Sequence, residues 1–204
     1  FPTHVKLAYD RSKVKIDYLL LNGAECEPYI TSDYRELIEN SDNVLAGIDL
    51  VMTKLEIPKA IIGIEADKPE AIAKLEKLAI RYPNISVQRL PSAYPQGAEK
   101  VLVHTLTGRI IGEGKLPSDV GCMVMNVSTA GFIYGYVKTG VPLVKRRITV
   151  DGDIVNSPAN FFIPVGTLLH SVVGFADVRK QPDRIVLGGP MMGACAFDPD
   201  TPLG

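Results

Sequence analysis

Tryptophan is absent from the 204 residues, and cysteine occurs three times, as Cys26, Cys122 and Cys195, with neither a CxxC pair nor an even set. That excludes a disulfide framework and a cysteine metal knuckle, and it predicts a reducing, cytoplasmic setting. An excess of either charge is also lacking: 22 basic residues stand against 23 acidic ones, net -1, without a basic tract. Nucleic-acid binding, which depends on such a tract, is therefore excluded as the working hypothesis. No apolar run approaches the roughly 20 residues of a spanning helix. Direct membrane insertion is not expected, and any peripheral attachment would go through partner subunits. His4, His104 and His170 lie far apart without HExxH spacing or a Ser-His-Asp signature, so neither a metal site nor a catalytic triad is predicted. The chain opens on Phe1 rather than Met and has no charged-then-apolar leader, which predicts a piece of a longer protein rather than a processed secretory chain.

What is present is a hydrophobic content of 46%, enough for one large or two small cores. Tyr18 to Asn22 (YLLLN), followed by Gly23, reads as a buried strand ending in a turn, which places GAECEP on a loop. Asp33 and Glu36 mark a helix start, and Leu45, Ile48, Val51, Met52 and Leu55 repeat at helical spacing. Ala60 to Ile64 is a second buried strand. Asp67-Lys68-Pro69 then offers a cap for a helix carrying Ile72, Leu75, Leu78 and Ala79. Ile85 to Leu90 continues the βαβ rhythm, followed by the loop YPQGAE, a helix over Lys100 to Leu106 stopped by Gly108, a strand over Cys122 to Val127, and a helix over Thr129 to Lys138 closed by Gly140.

The composition changes at Pro142. Leu143 to Val150 alternates apolar and basic residues, Asp151-Gly152 is a hairpin dipeptide, and Phe161-Phe162-Ile163 reads as a returning strand. Gly166-Thr167 opens a short helix, and Arg184 to Leu187 is one more strand before GGPMMG. The predicted class is α/β: a Rossmann-like domain with a mainly parallel sheet over 1–140, a small β-grasp domain over 141–196, and a linker over 197–204.

Three polar loops follow strands, where an open parallel sheet presents ligand-binding groups. They carry Asn22, Glu25 and Glu27; Tyr94, Gly97 and Glu99; and Asn126 and Thr129. In the alternative reading the asparagines satisfy turn backbone, Thr129 caps a helix and the glutamates are solvated. Lys6 and Lys115 are the cationic candidates for an anionic ligand. Cys26, beside two glutamates, reads as a small filler, because carboxylates discourage thiolate formation. GGPMMG lacks both GxGxxG and Walker-A spacing and reads as a close-packed turn.

Taken in order, FPTHVKL, LLLNGAECEPYIT, YPQGAEK, LTGR, MNVSTA, ITVDGDIV and GGPMMG resemble the C subunit of Rnf-type electron-transport complexes over nearly the whole chain. That family's relatives include the PrdC protein associated with proline reductase, toward which YPQGAEK and TGVPLVKRRITVDG lean, and the PduS cobalamin reductase. All are similar to the flavin-binding subunit of respiratory complex I. The resemblance implies non-covalent FMN in the first domain and a second domain of the SLBB type. It also implies NADH as electron donor, and partner subunits of an electron-transport or reductase complex. Lys6, Asn22, Glu25, Tyr94, Gly97, Asn126 and Thr129 fall on its flavin positions. Phe1, Glu27, Glu99 and, more weakly, Lys115 fall on its dinucleotide positions. The family's phosphate-wrapping glycine loop would precede Phe1, and its [4Fe–4S] cysteine clusters would lie in segments outside this sequence. Ala24 and Ala98 replace acidic residues and Met125 replaces an asparagine, so the resemblance supports flavin use more firmly than dinucleotide use. Against the oxidoreductase reading stands a non-catalytic scaffold that docks a partner or binds a soluble ligand such as a cobalamin.

Overall fold

Runs of buried aliphatic residues separated by amphipathic helices build the sheet that the sequence predicts. The computed structural model describes residues 2–204. They divide into two units, one formed by residues up to Cys26 together with Glu36–Gly140, the other by Glu27–Arg35 with Val141–Gly204.

The first unit opens with a short helix α1 (Thr3–Leu7) and contains the strands β1 (Tyr18–Gly23), β2 (Lys59–Glu65), β3 (Ile85–Leu90) and β4 (Cys122–Asn126). They form one parallel sheet in the order β3-β2-β1-β4. The connections are α2 (Ser32–Glu39) and α3 (Ser41–Leu55), then α4 (Pro69–Ala79), then α5 (Glu99–Thr107) with a 3-10 turn at Pro117–Val120; α6 (Val127–Thr139) follows β4. The chain winds outward from β1 to β3 and returns to β4 on the other side of β1. The topological switch point therefore lies between β1 and β4, where open α/β sheets bind ligands beyond the strand C-termini.

Alternation along the strands divides the core. Leu20 and Val124 pack with Leu90 of β3 and with Leu102, Val103 and Leu106 of α5. A Cβ on Gly63 would meet Leu90, Leu102 and Leu106, so the even-numbered side of β1 and the odd-numbered side of β2 share that layer. On the opposite layer α3 crosses α6 with backbones in contact: a Cβ on Gly47 would lie 1.9 Å from the Ala130 carbonyl oxygen. At the far end of the sheet Arg109 donates to Asp17 at 2.8 Å and to the Val120 carbonyl at 2.6 Å.

Two local expectations change. The cap of α6 is Asn126, whose Oδ1 accepts the Ser128 N–H at 2.8 Å, rather than Thr129. At α4 the N-cap is Lys68, without a side-chain cap; Asp67 pairs with the Lys68 ammonium at 2.8 Å instead.

In the second unit β5 (Lys145–Val150) pairs antiparallel with β6 (Ala159–Pro164), β7 (Thr167–Leu168) with β10 (Pro202–Leu203), and β8 (Ile185–Leu187) with β9 (Ala194–Ala196). Among the described residues these are three small two-stranded antiparallel sheets. Asp151-Gly152 does not close a two-residue hairpin. The loop runs from 151 to 158, because Asn156 is drawn to Asp177 through both its backbone N–H, at 2.7 Å, and its side chain, at 2.9 Å. The helix α7 (Leu169–Phe175) begins after Leu168, and Phe175 meets Phe161 edge to face at 5.1 Å. The stretch 197–204, expected as a linker, holds β10. Residues 27–35 join this unit through Thr31, whose N–H donates to Thr149 Oγ1 at 3.0 Å and whose hydroxyl accepts from Asn160 at 2.8 Å.

Candidate functional site

At the C-terminal crest of the sheet Asn22 is paired in register with Gly63 on one side and Asn126 on the other. Its side chain staples two loops together. Nδ2 donates to the Gly97 carbonyl at 2.9 Å, and Oδ1 accepts the Ala24 N–H at 3.1 Å. Gly97 is required by that approach, because a Cβ there would lie 2.8 Å from the Ala24 carbonyl oxygen. Lys6, from the short first helix, donates to Glu99 Oε1 at 2.6 Å and to the Val124 carbonyl at 3.1 Å, which places its ammonium at the end of β4. Three loops and the N-terminal segment thus meet at the switch point, with a cation, two carboxamides and the N-termini of α5 and α6 close by.

The remaining residues predicted for this site are distributed as follows. Thr129 lies in the first turn of α6, and Tyr94 is 40% exposed on the loop before α5. Glu25 acts on the buried Glu65 through its charge. Lys115 is exposed beside the 3-10 turn and has no side-chain bond to the crest among the described residues. Glu27 belongs to the second unit, where its two carboxylate oxygens accept the N–H groups of Met191 and Met192, each at 2.9 Å. Gly189 makes room for this clamp, since a Cβ there would lie 2.5 Å from Glu27 Oε2. Phe1 lies outside the described residues.

Two residues at the crest escaped sequence reasoning. Gln96 is buried and donates to Thr105 Oγ1 at 3.2 Å. Glu65, the last residue of β2, is 4% exposed, and its burial raises its carboxyl above the ordinary value of 4.5, with the neighbouring Glu25 and Asp67 pushing the same way and Lys68 opposing. The signal for it was a single acidic residue closing the apolar run AIIGIE.

The three thiols are free and differ in access: Cys195 is exposed, Cys26 half-buried and Cys122 buried. Burial pushes the Cys122 thiol up despite the nearby Arg109. At neutral pH a thiol reagent is expected to label Cys195 first and Cys26 slowly, and to reach Cys122 after unfolding. Mass-spectrometric mapping of a labelling time course checks this order, and early modification of Cys122 would contradict it.

The donor set fits a phosphorylated planar cofactor. A lysine and two helix N-termini suit an anion. Asparagine amides supply both donors and acceptors for a heterocycle edge, and the close Gly97–Ala24 approach keeps side chains out of the crevice floor.

Comparison with known proteins gives the same picture. The Nuo51 FMN-binding domain family matches residues 1–135. The chain is 45% identical over its whole length to the C subunit of the proton-translocating ferredoxin:NAD(+) oxidoreductase complex of Clostridium ljungdahlii, covering 44% of that protein. It is 42% identical to the C subunit of the Na(+)-translocating ferredoxin:NAD(+) oxidoreductase complex of Acetobacterium woodii, covering 46% of it. It is 40% identical to the C subunit of the ion-translocating oxidoreductase complex of Pseudomonas aeruginosa, covering 26% of it. The chain therefore spans less than half the length of these relatives. Among solved structures, an NAD+-reducing [NiFe]-hydrogenase in the H2-reduced state matches 93% of this chain and 38% of its own, with a TM-score of 0.78 at 23% identity, a likeness of fold.

Proposed function

The chain belongs to the Nuo51 FMN-binding domain family, and on that premise we propose that it is the flavin-holding part of an electron-transfer subunit that takes electrons from NADH through FMN. The observation that carries this reading is the convergence of Lys6, Asn22, Gly97 and Asn126 at the β1/β4 switch point. Bound there, the flavin supplies hydride acceptance and one-electron release, which the protein side chains lack.

The residues bind and orient. Lys6 neutralises negative charge beside β4, and Asn22 and Asn126 set the level of the crevice floor. Gly97 lets the loop backbone approach the ring, and Tyr94 and Thr129 border the opening. The dinucleotide would enter past Glu99. The curated relatives are named as subunits of ferredoxin:NAD(+) oxidoreductase complexes, which supports exchange of electrons with partner subunits; on this reading the iron–sulfur centres lie in segments outside this sequence. No helix among the described residues is long and apolar enough to cross a membrane.

One observation favours a second reading, a ligand-binding or docking role for the second unit: it holds a cavity of about 880 Å³ between residues 28–32, β5 and residues 183–190. The test is to purify the full-length protein, identify any released flavin and add NADH anaerobically. Bound FMN that bleaches with NADH supports the first reading. Protein that binds no FMN, yet still assembles with its partners, supports the second.

A further inference from the structure

We propose, resting on the flavin reading of this crest, that Glu65 couples cofactor binding to proton uptake: its buried carboxyl, packed at the end of β2 beside Glu25, must be neutral for an anionic cofactor to bind.

The placement comes from the sheet. Gly63 is level with Asn22 in the register, and Glu65 follows two residues later on the same side of β2, the side that faces α5. It therefore stands on the crest in the layer that holds the Asn22–Gly97 staple. The residue is more than nine-tenths buried, and its carboxyl oxygens are not among the fully enclosed, unpartnered side-chain atoms of the described residues. The ionisable groups acting on it are Glu25 from the loop after β1, and Asp67 and Lys68 from the loop after β2. The one cation among them, Lys68, is already paired with Asp67 at 2.8 Å. Burial of the residue disfavours its charge more than Lys68 offsets it, which shifts the balance toward the neutral form relative to a free carboxyl.

Charge at the crest strengthens the argument. Lys6 is held by Glu99 at 2.6 Å, and the Glu25 carboxylate already acts against a negative charge on Glu65 before any ligand arrives. A flavin phosphate adds more. Ionised Glu65 would repel it, whereas protonated Glu65 would not. By linkage, a ligand that prefers the protonated form draws a proton from solvent when it binds at a pH where Glu65 is partly ionised.

The same shift fixes a stability trend. The folded carboxyl titrates above its ordinary value of 4.5, so the folded state holds the proton more tightly than the unfolded chain. Its favourable contribution is complete below that ordinary value and is lost as pH rises through the folded value. Glu65→Gln removes this fall.

The test is isothermal calorimetry of FMN binding to the full-length protein, in buffers of different ionisation enthalpy, at several pH values from the ordinary carboxyl value of 4.5 upward. The expected result for the wild type is net proton uptake that rises to at most about one per FMN. With Glu65→Gln, FMN still binds and that uptake disappears. Wild-type binding with no proton uptake at any pH overturns the proposal, as does an uptake that Glu65→Gln leaves unchanged. Absence of FMN binding in both proteins instead overturns the flavin reading itself, so the two failures are distinguishable.

Discussion

Lys6→Ala is expected to weaken FMN binding by the full-length protein roughly tenfold to a hundredfold, the range for loss of one charge-assisted hydrogen bond. Lys6 is the cation that the structure brings to the end of β4, and its removal takes away the positive charge that offsets Glu99 beside an anionic cofactor. Fold stability is expected to change little, because the Lys6–Glu99 pair is partly exposed, at 26% and 45%, and such pairs contribute about 0–1 kcal/mol. Fluorescence titration with FMN and thermal melting of the same samples separate the two effects. Lys6→Arg keeps the charge and is expected to recover part of the affinity. An unchanged affinity in Lys6→Ala would remove Lys6 from the site.

Gly47→Ala is expected to destabilise the first unit by about 2–3 kcal/mol, the scale of overpacking in a closed contact. In an exposed helix the same change stabilises by roughly 0.5–1 kcal/mol, since glycine loses more backbone freedom on folding. Here the added Cβ would stand 1.9 Å from the Ala130 carbonyl oxygen, so α3 and α6 must separate. Gly135→Ala provides the contrast. It lies within α6, and nothing stands within 4 Å of a Cβ there, so it is expected to stabilise. Denaturant unfolding of both variants reads the opposite signs, and a stabilising Gly47→Ala would mean that the helices do not meet as described.

The elements that bury a continuous apolar stripe were legible in the sequence. YLLLN, AIIGI and the helix stops at Gly108 and Gly140 all fall where the structure has them; both glycines take positive φ at helix ends, which side chains with a Cβ avoid. What escaped was pairing decided at a distance. The strands Ala194–Ala196 and Pro202–Leu203 are too short to show a period, and Asp151-Gly152 carries a hairpin signature that the Asn156–Asp177 bonds override. At the site, position at the strand ends pointed to the segments carrying Asn22 and Asn126 and to the loop of Gly97, which the structure brings together at one crest. It could not reveal that Lys6 turns toward Glu99, that Glu27 is taken up by the Met191 and Met192 amides, or that Glu65 is buried. Each of these depends on which loops the sheet order brings together, and one acidic side chain looks like another until its neighbours are known.

The central claim is that FMN sits on the crest between β1 and β4, and the most direct measurement is an FMN fluorescence titration of the full-length protein beside its Asn22→Ala variant. The account predicts saturable quenching by the wild type and at least about tenfold weaker binding by the variant, which loses both the bond to Gly97 and the bond from Ala24. Far-UV circular dichroism of the variant should match the wild type. Equal affinity in the two proteins, or no quenching by the wild type, would contradict the claim.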